Sequence, residues 1–100
     1  MFVHHVYFWL KNSGSAEDKA KLQQGLEQLK AVETIQTIHI GVPATTDRPV
    51  IERGYDVSLL LIFNNLEDHD TYQVHPLHQK FVEECASLWT KVVIYDSVDI

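Results

Sequence analysis

The chain has little cysteine, little glycine and few basic residues, and each shortage closes off a class of protein. Cys85 is the 1 cysteine in 100 residues. It cannot form an intramolecular disulfide, whereas small secreted domains are commonly stapled by several, so a reducing, cytoplasmic setting is predicted. Lys and Arg number 8 against 14 Asp and Glu, a formal net charge of -6. No basic face is available to neutralise phosphates, which argues against nucleic acid and anionic membrane surfaces as partners. The four glycines, Gly14, Gly25, Gly41 and Gly54, stand far apart. That excludes a P-loop, a dinucleotide-binding turn or a Gly-x-Ser-x-Gly elbow. No apolar run approaches the roughly 20 residues that cross a bilayer, and Met1-Phe2-Val3-His4-His5 lacks the basic start and apolar stretch of a signal peptide.

What is present suits one folded domain over residues 1–100, with hydrophobic residues at 45% and a core of modest size. Phe2 to Leu10 is aromatic and β-branched and is stopped by Lys11-Asn12-Ser13-Gly14-Ser15, the pattern of a strand and a turn. Ser15 is placed to cap a helix from about Ala16 to Val32, with Glu17 and Asp18 in its first turn and Leu22, Leu26, Leu29 and Val32 at helical spacing. Thr34 to Val42 predicts a second strand, Ala44 to Gly54 an exposed loop, and Tyr55 to Phe63 a third strand. Asn64-Asn65 opens a short helix to about Val74. Pro76 disfavours helix at His75 but suits a first helical position, so a further helix starts there and runs to Leu88 or Trp89. Lys91 to Asp99 alternates as a fourth strand.

The order β-α-β-β-α-β, with its second helix in two pieces, predicts an α+β ferredoxin-like fold: an antiparallel sheet with helices on one face. In the first strand Val3, His5, Tyr7 and Trp9 oppose Phe2, His4, Val6, Phe8 and Leu10, and both sets are bulky and largely apolar. Helices suffice for one face only. The other calls for a second copy of the chain, a two-fold homodimer with sheets face to face.

Of the 6 histidines, two fall in the densest constellation, Tyr72-Gln-Val-His75-Pro-Leu-His78, at the helix break. Tyr72 and His78 can both point at the sheet, where His5 also reaches if its side of the strand faces the helices. A neutral imidazole accepts a proton at pH 7, and a phenol donates to an oxygen that becomes anionic. His78 is thus a candidate base for enolate chemistry, Tyr72 the oxyanion donor and His5 an orienting or charge-balancing partner. From the residues alone, the favoured alternative is that the three are packed residues with satisfied polar ends. His75 and His78 make poor metal ligands, because Pro76 breaks the helix that would set them side by side, and neither a metal nor a cofactor is expected. His75 reads as a helix-start residue, His69 as solvent-exposed beside Asp68 and Asp70, and Cys85 as core. Trp9 and Trp89 line a cavity or anchor the core or dimer interface.

His5-Val6-Tyr7-Phe8, Gly54-Tyr55, Tyr72-x-x-His75-Pro76-x-His78-x-x-Phe81-Val82 and Trp89-x-x-Val92-Val93-Ile94-Tyr95-Asp96 together resemble the stress-responsive dimeric α/β-barrel (Dabb) family over nearly the whole chain. The resemblance implies a dimeric barrel. A plant polyketide cyclase of that family carries a Tyr and a His matching Tyr72 and His78, with a histidine matching His5 and a further one where this chain has Val57. It implies a pocket between sheet and helices that takes in His5, Tyr7 and Val57, with Trp9, Phe81 and Trp89 completing the lining, and leaves Val6, Phe8 and Leu10 for the dimer. Two functions follow as expectations: binding of a small apolar or aromatic metabolite, or cofactor-independent cyclase- or isomerase-like catalysis by a His/Tyr acid-base pair.

Overall fold

The aromatic and β-branched run at the start of the chain forms β1, Phe2–Leu10, in a computed structural model that describes residues 1–100. α1 (Ala16–Glu27) follows, capped as expected: the Ser15 hydroxyl accepts from the Asp18 amide at 3.1 Å, satisfying a backbone donor that the first turn leaves unpaired. A 3₁₀ turn, Gln28–Ala31, carries the helix to Val32. Then come β2 (Thr37–Gly41), β3 (Val57–Phe63), α2 (Leu66–Gln73), α3 (Pro76–Cys85), a 3₁₀ turn at Ala86–Leu88, and β4 (Trp89–Val98). The second strand is shorter than its β-rich sequence, since Thr34 is spent in a turn with Glu33 and the strand starts only at Thr37.

The strands form one antiparallel sheet in the order β2-β3-β1-β4, the ferredoxin-like arrangement read from the sequence. All helices lie on one face. Leu22, Leu26, Leu29 and Val32 from the α1 side, with Tyr72, Phe81 and Cys85, close over Phe2, Val6, Phe8 and Leu10 of β1 and Val57, Leu59, Leu61 and Phe63 of β3. The result is a slab of 35 × 33 × 17 Å, one sheet and one helix layer thick.

The side of β1 that faces the helices is the reverse of the expected one. Phe2, His4, Val6, Phe8 and Leu10 are buried under the helices, while Val3, His5, Tyr7 and Trp9 are half-buried on the open face. The physical reason is in their polar tips. His5, Tyr7 and Trp9 carry polar atoms that the open face leaves near water, whereas the buried set carries one such residue, His4, and the fold supplies it with a partner. Val6, Phe8 and Leu10 are therefore core, not dimer face. The open face instead runs across rungs such as His39–Leu60–His5–Tyr95 and Ser58–Tyr7–Val93.

Candidate functional site

α2 is a short helix with little apolar surface, and its start is fixed by a side-chain cap. Asn65 Oδ1 accepts from the Asp68 amide at 2.9 Å at its start. At its far end the backbone turns out of helix at Val74, and His75 begins α3: its Nδ1 accepts from the Leu77 amide at 3.1 Å with Pro76 in the first turn. His75 is thus the helix-start residue that was expected. Its other nitrogen lies 3.3 Å from Glu33.

This break directs Tyr72 and His78 to one place. The Tyr72 ring is buried against Phe63, with centroids 5.4 Å apart, and the His78 ring meets its edge at 4.8 Å. The third member is His4, not His5: the His4 ring lies 6.0 Å from that of Tyr72, whereas His5 is on the far side of the sheet against Tyr7. His4 Nδ1 is 2.5 Å from Asp96 Oδ1, its partner across the β1–β4 ladder.

The three groups line a cleft of about 220 Å³ walled by Val6, Phe8, Leu59, Phe81 and Trp89. Trp89 owes its place to a register shift in the β1–β4 pairing: Trp9 pairs with Lys91 but Leu10 with Trp89, so one extra residue turns Trp89 to the helix side. There it packs on Phe8 and Phe81 at 5.0 and 5.8 Å. On the outer rim Val92 and Ile94 are 40% and 50% exposed, because no helix covers β4.

Of the lining residues named from the sequence, the structure places Phe81 and Trp89 in this cleft and Val57, Tyr7 and Trp9 elsewhere. Val57 faces the helices but lies beside Lys19, Gln23 and Gly41, away from Tyr72. Tyr7 and Trp9 border a larger hollow, about 380 Å³, on the open face with Tyr55 and Tyr95, and Lys91 Nζ sits 4.4 Å above the Trp9 ring. It contains neither Tyr72 nor His78, and it lies on the sheet surface that the helices leave bare.

His69 is the functional-site neighbour that sequence reasoning missed. It is buried rather than exposed, stacked on Phe2 at 4.4 Å and 5.1 Å from the His4 ring, with Nδ1 on Asp70 at 3.1 Å. The signal for it was the i, i+3 spacing to Tyr72, which puts both on one helix face. Cys85 is buried as expected, and burial, with Glu84 adding to it, pushes its thiol up, away from nucleophilic use.

Protonation follows from these surroundings. Burial raises the Tyr72 phenol well above its ordinary value, so it stays a donor at neutral pH. Burial lowers His78, and the His4 ring adds to that effect. Burial also lowers His4, against the opposing pull of the Asp96 carboxylate. A neutral imidazole and a protonated phenol thus stand edge to edge. Tyr72 and His78 both line the cleft, and Thr34 Oγ1 is the one buried side-chain polar atom without a partner. The arrangement can accept a proton at one group and donate a hydrogen bond from the other.

Residues 2–99 match the sequence pattern of the stress responsive A/B barrel domain, Dabb. No curated protein matches the chain in sequence. Among solved structures, a Dabb family protein with a ferredoxin-like fold from Mesorhizobium loti superposes with a TM-score of 0.82 at 20% identity, covering 99% of this chain and 96% of that one. A dimeric ferredoxin-like protein of unknown function from Thermobifida fusca gives 0.77 at 16% identity, over 96% and 88% of the two chains. A hydroxynitrile lyase from Passiflora edulis gives 0.78 at 17% identity, over 99% and 93%.

Proposed function

Since the chain belongs to the stress responsive A/B barrel domain family, we propose that it is a homodimer whose sheet-and-helix cleft binds a small apolar or aromatic metabolite. The ligand presents one polar group to Tyr72 and His78. The observation that carries this reading is the meeting of Tyr72 and His78 in a cleft otherwise lined mainly by aliphatic and aromatic side chains, with Gln73 and His4 its other polar groups. A carbonyl or hydroxyl of the ligand replaces water at a phenol that stays protonated and at a neutral imidazole beside it. The cleft is smaller than the roughly 300–1,000 Å³ of drug-sized sites, so the ligand is correspondingly small.

The dimer reading rests on the open sheet face, where Val3, Tyr7, Trp9, Leu60 and Ile62 are only half-covered, and on the dimeric ferredoxin-like protein of the same fold. The single cysteine fits a cytoplasmic setting.

A second reading is favoured by the protonation states. With His78 neutral and Tyr72 a donor, the pair suits cofactor-independent acid-base chemistry of the cyclase or isomerase type: the imidazole removes an acidic proton and the phenol stabilises the oxyanion. A lyase shares the fold, which supports it by analogy alone.

One experiment decides between them: ligand-dependent melting of the wild type, Tyr72→Phe and His78→Ala against small aromatic and β-keto compounds, with mass detection of products. Stabilisation without turnover, reduced about three- to tenfold in affinity by Tyr72→Phe, supports binding. Product formation abolished in both variants supports catalysis. Stabilisation untouched by either variant places the ligand elsewhere and overturns both readings.

A further inference from the structure

His4, His69 and Asp96 are far apart in sequence, yet each offers a ligand atom within 4.8 Å of the other two. The geometry points to a site at these three side chains for a divalent transition ion of the zinc type.

The fold brings them together from three elements. His4 and Asp96 share one rung of the β1–β4 ladder, so their side chains leave the sheet on the same face, and α2 lays His69 over them. Two aromatic contacts fix the His69 ring, Phe2 stacked on it at 4.4 Å and Phe63 edge-on at 5.6 Å. A ring so held needs little reorganisation to act as a ligand.

The donor set is two imidazole nitrogens and one carboxylate oxygen. That mixture suits zinc and its neighbours in the transition series, whereas magnesium and calcium take all-oxygen sites. The surroundings resemble those of a ligating histidine. His69 Nδ1 is on Asp70 at 3.1 Å, and a carboxylate holding one ring nitrogen orients the other toward an ion. That other nitrogen, Nε2, has only a 3.3 Å contact with the Gln73 amide nitrogen, which is easily given up.

At the remaining corner the ion takes the place of the proton between His4 Nδ1 and Asp96 Oδ1. These atoms are 2.5 Å apart and would spread to about 3.3 Å around a tetrahedral metal with ligand bonds near 2.0–2.1 Å. The displaced ring proton moves to His4 Nε2, which has no protein partner. Asp96 is 41% exposed while the His4 side chain is 4% exposed, so the ion has an entry from solvent and a dry floor, and water completes its coordination.

The test uses the full-length, tag-free protein and Co²⁺ as the probe, followed by Zn²⁺ displacement. The expected result is one Co²⁺ per chain, paramagnetic shifts on the ring protons of His4 and His69 but not of His39, and displacement by Zn²⁺. Asp96→Asn, at a partly exposed position, weakens binding by about 100-fold or more, beyond the 10–100-fold typical of losing a group that only orients a ligand, and His69→Gln does the same. Absence of shifts at His4 and His69, or affinity unchanged in Asp96→Asn, overturns the proposal.

Discussion

His4 and Asp96 face each other across one rung of the β1–β4 ladder and meet at 2.5 Å, a histidine buried in the core against a carboxylate at the surface. Burial pulls the His4 pKa down and the carboxylate pulls it back up. Asp96→Asn removes the second influence and leaves the first. The His4 titration midpoint therefore falls further below 6.5 in the variant, which a histidine-resolved NMR titration reads directly. A midpoint that rises or stays put would mean that the carboxylate does not act on this ring.

The pH dependence of stability follows from the same residues. His4 and His78 both sit below the ordinary value in the folded chain, so as pH drops through about 6.5 the unfolded chain takes up protons first. Their contribution is complete above that value and is lost toward acid, by at most about 1.4 kcal/mol per pH unit for each group, less for His78, which is partly exposed. Urea unfolding at pH 7.5 and 5.5 will show the lower midpoint at 5.5, and a smaller difference in His78→Gln. Equal midpoints would contradict the burial argument for both rings.

Gly25 is mid-helix, where alanine is ordinarily preferred by about 1 kcal/mol. Here a Cβ would meet Cys85 Sγ at 2.5 Å and Phe81 Cδ1 at 3.1 Å. Gly25→Ala will therefore destabilise, by about 1–3 kcal/mol from overpacking, and combination with Cys85→Ala will recover part of the loss by removing the sulfur. Chemical denaturation of the two single variants and the double variant gives the coupling. Additive losses would show that the close approach of the two helices is not what sets the cost.

Leu60 stands between His39 and His5 on the open face, pointing away from the core. Leu60→Lys places a charge in the middle of the surface assigned to the partner copy while sparing the packing beneath. Sedimentation of the variant will give a monomer with native circular dichroism. A variant that stays dimeric would move the interface off this face.

How far the sequence could be read depended on whether the two sides of an element differ. β1 begins and ends where its turn chemistry says, the Ser15 and Asn65 caps are where small polar residues precede a helix, and the His75 cap is where Pro76 marks a first helical position. The orientation of β1 was not legible from alternation, because both of its sides are bulky and apolar and a period of two then carries no phase. The usable signal was finer: Tyr, Trp and His tips gathered on one side have the make-up of an interface rather than of a dry core. That single displacement moved the third site residue from His5 to His4 and sent Tyr7 and Trp9 to the other face. The inward turn of Trp89 had no sequence signal, since a ladder irregularity depends on pairing with β1.

The joint at His75–Pro76 does more than separate two helices. On one unbroken helix, residues 72 and 78 would lie about 9 Å apart along the axis and roughly 120° apart around it, so that only one of them could aim at the sheet. The interruption resets the angular phase, so a phenol and an imidazole six positions apart converge on one hollow. A variant that straightened this joint would retain every side chain of the pair and lose their meeting point.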